Sequence, residues 1–115
     1  MPFLNEADTE WHEPPGHFGA YSRYLVGPER GSRYFDFRTS RYPTGGYVAP
    51  HAHDVAEQVY YFTSGTGRAE CGDETREVGP GDVMFVPAGV RHGLVSTGNG
   101  ELSFIVVTSP PDIAR

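Results

Sequence analysis

The stretch from His51 to Gly65, HAHDVAEQVYYFTSG, decides how this chain is read. Its two histidines, His51 and His53, are separated by one residue, so in an extended strand they share a face. A few residues later come an acid, Glu57, and an amide, Gln58. These two are adjacent and point to opposite faces, so only one of them can belong with the histidines. The run that follows, QVYYFT (58–63), is rich in β-branched and aromatic residues. It stops at Ser64-Gly65-Thr66, which reads as a strand closed by a turn.

Working outward, the same grammar repeats. The chain holds 15 Gly and 10 Pro, spread along its length rather than gathered in one block. Short apolar runs between such residues predict many strands and turns. The predicted strands are 21–26, 33–42, 46–53, 58–63, 67–71, 76–78, 82–86, 91–96 and 102–108. No window sustains an apolar period of three to four residues for three turns, so little helix is expected. Strands at this density in one small domain, residues 1–115, predict an all-β closed antiparallel barrel or jelly roll. The tail from Ser109 to Arg115 is expected to be loosely held.

The formal charge is −6, from 9 basic and 15 acidic residues. A general nucleic-acid binder would need a basic face, so no nucleic-acid partner is expected. No apolar run reaches membrane-spanning length, so no membrane partner is expected either. The first residues are acidic and proline-rich where a secretory signal needs a basic end and an apolar core. With the single cysteine, Cys71, these features predict a cytoplasmic protein without a disulfide.

Two spaced blocks carry a family resemblance. Residues 45–65 read G-x5-H-x-H-x4-Q-x6-G through Gly45, His51, His53, Gln58 and Gly65, and residues 81–92 read G-x5-P-x-G-x2-H through Gly81, Pro87, Gly89 and His92. Together they resemble the two motifs of the cupin superfamily, whose RmlC-like members fold as a double-stranded β-helix. The usual third ligand of the family is Glu. Here the six-residue gap to the turn glycine selects Gln58 over Glu57, since a slip of one residue would turn the whole strand over. The resemblance implies a metal site of His51, His53, Gln58 and His92, as in the small His-x-His-x4-Gln cupins of uronate metabolism. The residues that accompany the uronate activity do not match. Aligned on Ser109-Pro110, the Asp, Phe and Arg of those cupins are replaced by Val106, Thr108 and Pro111.

Three imidazoles and one amide oxygen suit one divalent transition metal ion (Mn, Fe, Zn, Ni or Cu) and leave coordination positions open. A neutral Gln58 cancels none of the ion's charge. That favours Lewis-acid isomerase or lyase chemistry on a small oxygen-rich substrate, such as a sugar acid or another carboxylate, over oxygen activation. An Fe- or Cu-dependent dioxygenase and a non-catalytic sugar- or effector-binding cupin are the alternatives. Alternation from Gln58 turns Tyr60 and Phe62 inward, and alternation from His51 does the same for Tyr47 and Ala49. Tyr60 is the candidate proton donor. Arg38 and Arg41 are candidates for gripping a substrate carboxylate, and Phe104 or Ile105 lines the barrel. His12 and His17, near the start, receive no role. The aromatic N-terminal stretch, with Trp11, Phe18, Tyr21 and Tyr24, suggests a homodimer.

Overall fold

The computed structural model of the chain describes residues 2–111, so the last four residues of the predicted tail lie outside the described residues. The strands are β1 (His17–Phe18), β2 (Tyr21–Val26), β3 (Asp36–Tyr42), β4 (Tyr47–His51), β5 (Glu57–Ser64), β6 (Gly67–Cys71), β7 (Glu74–Val78), β8 (Val83–Val86), β9 (His92–Ser96) and β10 (Leu102–Ser109). Two single 3₁₀ turns, Glu6–Asp8 and Pro28–Arg30, are the helical segments among the described residues. The strands form two five-stranded antiparallel sheets, β1-β4-β9-β6-β7 and β2-β3-β10-β5-β8. They face each other as a jelly roll, the architecture expected from the sequence. No helix among the described residues is long and apolar enough to cross a membrane.

The departures from the predicted strands have local causes. β3 begins at Asp36 rather than residue 33, because Ser32 closes a turn by donating its hydroxyl to the Phe35 carbonyl. β7 runs back to Glu74 because its exposed polar residues hide the strand from an apolar-pattern reading. β1 has only two residues, too few to show a period.

Interior positions stack in rungs across the second sheet. Tyr42 lies opposite Leu102, followed by Ser40, Phe104 and Phe62, then by Arg38, Val106 and Tyr60. The last rung holds Asp36, Thr108 and Gln58. All of these side chains are buried. The barrel thus grades from an aromatic end to a polar end. At the aromatic end, Phe104 meets Tyr42, Tyr60 and Phe62 at ring-centroid distances of 5.0, 5.6 and 5.5 Å. Rings at such spacing add to the area they bury and fill this half of the interior.

The turn after β5 needs glycine. Gly65 has a φ of +79°, and a Cβ there would run into the backbone of Glu101 and Leu102. Gly45 also has a positive φ, +85°, but open space around it. Gly45→Ala should therefore cost about 1–2 kcal/mol, the left-handed backbone penalty alone. Gly65→Ala should cost more than about 3 kcal/mol, because overpacking adds to that penalty. Urea denaturation of the two variants against wild type measures the difference.

Candidate metal centre

The polar end of the barrel gathers the histidines. His51 closes β4 and lies directly opposite His92 at the start of β9, with the two rings 4.4 Å apart. His53 stands two residues beyond β4, where the Gly89 N–H holds its carbonyl at 2.6 Å. The ligand atoms of His51, His53 and His92 all lie within 4.8 Å of one another.

Hydrogen bonds aim the rings. His51 Nδ1 sits 2.8 Å from the Ala49 carbonyl, and His92 Nδ1 sits 3.1 Å from the Val90 carbonyl. A carbonyl only accepts, so each Nδ1 carries a proton, and in the neutral ring each Nε2 keeps its lone pair. His92 is fully buried, yet its Nε2 has no hydrogen-bond partner among the described residues. Burial pushes its pKa down to about 4, and His51, His53 and Arg38 push the same way against the Val90 hydrogen bond. The ring is therefore neutral at neutral pH. A buried, unpaired lone pair beside two further imidazoles is costly as plain core and suits a bound cation.

The structure turns Gln58 into the barrel, with 2% of its surface exposed, and leaves Glu57 outside. Gln58 Nε2 donates to Thr108 Oγ1 at 3.0 Å, and its Oε1 faces the Tyr60 hydroxyl at a weak 3.5 Å. Thr108 thus fixes the amide and leaves Oε1 as the available donor atom. The sequence reading passed over Thr108 because both faces of the last strand carry apolar residues, which left its phase open; burial of Phe104 and Val106 puts Thr108 inward.

Several expected pocket residues are placed elsewhere. Tyr47 is on the outside, 41% exposed and stacked on Phe18 at 5.1 Å. Strict alternation failed because β4 carries a bulge. Val48 pairs with Leu94 and His51 with His92, so β4 has one more residue than β9 between these pairs. Pro50, which cannot donate to a ladder, lies in the bulge. Arg38 faces inward, whereas Arg41, an odd number of residues away, faces outward. Arg41 stacks over Trp11 at 4.4 Å and meets Glu101 at 3.8 Å, so the two arginines cannot grip one carboxylate. Phe62 and Phe104 are buried in the aromatic core, and alternation puts Ile105 on the other face.

Tyr60 is buried against Arg38. Burial raises its pKa while the charge and hydrogen bond of Arg38 oppose the rise, so the hydroxyl stays protonated at neutral pH. Burial opposes the charge on Arg38, but the surrounding Tyr60, Tyr24, Tyr42 and Asp36 outweigh it and hold the guanidinium pKa above its ordinary value.

A family model described as a cupin domain matches residues 38–108. The chain belongs to the cupin family. Among relatives, this cupin is similar to an oxalate-binding protein of Thermotoga maritima, 31% identical over 71 residues that cover 62% of this chain and 59% of the relative. It spans between 55% and 59% of the length of the curated relatives it matches. Among solved structures it resembles the polyketide cyclase RemF of Streptomyces resistomycificus, with a TM-score of 0.83 and 27% identity over 95% of this chain and 79% of that one. KdgF of Halomonas sp. shares the fold, with a TM-score of 0.85 and 20% identity over 98% of this cupin and 96% of that chain.

Removal of Oε1 by Gln58→Ala should weaken Zn(II) binding about tenfold or more, while Glu57→Ala leaves it within about twofold. Thr108→Val, which frees the amide to turn, should fall between the two. Competition against a chelating dye gives all three affinities.

Proposed function

We propose that this cupin is a metal-dependent enzyme acting on a small oxygen-rich metabolite, a sugar acid or another carboxylate, by Lewis-acid isomerase or lyase-type chemistry. The observation that carries the reading is the convergence of His51, His53 and His92 at the polar end of the barrel; Gln58, buried and neutral on β5, is the candidate fourth donor. The donor set holds no sulfur and fits one divalent transition metal, Mn, Fe, Zn, Ni or Cu. Bound there, such an ion polarises a carbonyl or acidifies a coordinated hydroxyl.

The chain's own residues supply the remaining parts. The buried guanidinium of Arg38 offers a fixed positive charge to an anionic substrate. Tyr60, kept protonated by burial, is the candidate proton donor. The packed rings of Tyr42, Phe62 and Phe104 block the far end of the barrel, so a substrate enters beside the half-buried His51 and His53. The name of the Thermotoga relative, oxalate-binding, and the cyclase name of the Streptomyces structure both support a ligand rich in carbonyl or carboxylate oxygen.

Protein purified without added metal should carry about one transition metal ion per chain. With sugar acids in D₂O, the metal-loaded chain should exchange or consume the hydrogen next to a carbonyl, as read by proton NMR. His51→Ala should abolish both the metal and the turnover. Oxygen consumption by the Fe- or Cu-loaded chain would replace this reading with a dioxygenase. Ligand affinity that survives loss of the metal would replace it with a binding protein.

A further inference from the structure

His17 lies outside the matched family span of residues 38–108, and the sequence reading gave it no role. The structure brings it into the barrel. β1 pairs with β4 so that His17 lies opposite Val48 and Phe18 opposite Tyr47. Directly opposed residues share a face of a sheet, and Val48 is buried in the core, so His17 points inward while Phe18 stacks on Tyr47 outside. The placement is held firmly. The Gly16 carbonyl accepts from Ala49 N–H at 2.9 Å, and Glu13 Oε2 accepts from Gly19 N–H at 2.7 Å. Gly19 lies so close to Gly46 that a Cβ on Gly46 would run into the Gly19 carbonyl.

The ring is half-buried and stands edge-on to Tyr42, with centroids 6.0 Å apart. Its Nδ1 donates to the Pro15 carbonyl at 3.0 Å, the same lock that His51 and His92 carry. Nε2 therefore keeps a lone pair, and it makes no hydrogen bond among the described residues. His17 is not one of the three clustered histidines, so it is not placed as a ligand of the same ion. Burial pushes its pKa down to about 4, opposed by the Pro15 hydrogen bond and assisted by Arg38 and His51. At neutral pH it is an uncharged acceptor on the inward face of β1, opposite the buried Val48.

We propose that His17 is a specificity-determining residue of this site, whose Nε2 accepts a hydrogen bond from a hydroxyl of a substrate held at its carboxylate end by the histidine centre. The proposal rests on the reading given under Proposed function. A neutral acceptor there selects substrates that carry a hydroxyl at the matching distance, because a deoxy analogue leaves the lone pair without a donor.

The test uses the Co(II)-loaded full chain, whose visible spectrum reports ligands that reach the ion. Dissociation constants are measured for 2-, 3- and 4-carbon hydroxy acids (glycolate, 3-hydroxypropionate, 4-hydroxybutyrate) and for acetate, propionate and butyrate. At one chain length the wild type should prefer the hydroxy acid by about 5–10-fold. His17→Phe, which keeps a ring against Tyr42, should lose this preference while keeping its Co(II) content and its affinity for the deoxy acid. His17→Gln, which restores an acceptor, should keep it, and His17→Leu gives a second reading of the loss should the Phe variant fold poorly. A wild type without preference at any length, or a preference that persists in the Phe and Leu variants, overturns the role of His17 and leaves the metal centre standing. A spectrum that no carboxylate perturbs overturns the functional reading and the role of His17 with it.

Discussion

The centre depends on hydrogen bonds from imidazole Nδ1 to backbone carbonyls two residues upstream. In His51 and His92 this bond protonates the outer nitrogen and leaves the inner one bare. Without it, either ring could turn or take the other tautomer and present a proton where a cation needs a lone pair. The backbone of β4 and of the turn leading into β9 sets which nitrogen is free, so the local chain path specifies the donor set. Thr108 gives Gln58 the same kind of restraint through its amide nitrogen.

Fold and site meet in the β4 bulge. It brings His51 onto the interior face already occupied by Val48, directly across from His92. The graded rungs of the second sheet supply the opposite wall, aromatic toward Tyr42 and polar toward Gln58. The packed aromatic end gives the barrel a floor, and the buried charges Asp36 and Arg38 lie toward the polar end. The three clustered imidazoles therefore lie on the side of the interior away from that floor. The cleft of ≈ 450 Å³ between Trp11, Arg41 and Glu101 is separate from them, on the outer side of the sheet.

Much of this was legible in the sequence because two-residue alternation and glycine spacing are strong signals. The gap from Gln58 to Gly65 decided between the amide and the acid, and the structure turns Gln58 in and Glu57 out. The same alternation, applied to Arg38 and Arg41, would have separated them, since three residues apart means opposite faces. It misled at Tyr47 because one inserted residue reverses the phase, and Pro50 was the available warning. His17 could not be found this way. A two-residue strand has no period, and its inward direction comes from its partner Val48, 31 residues later in the chain.

Long-range ¹H–¹⁵N NMR of the histidine rings in metal-free protein at neutral pH tests the central claim most directly. His51 and His92 should both appear with Nδ1 protonated and Nε2 bare, and added Zn(II) should shift the Nε2 signals of His51, His53 and His92 together. Protonated Nε2 in either ring, or Zn(II) that leaves these three signals unmoved, would contradict the account.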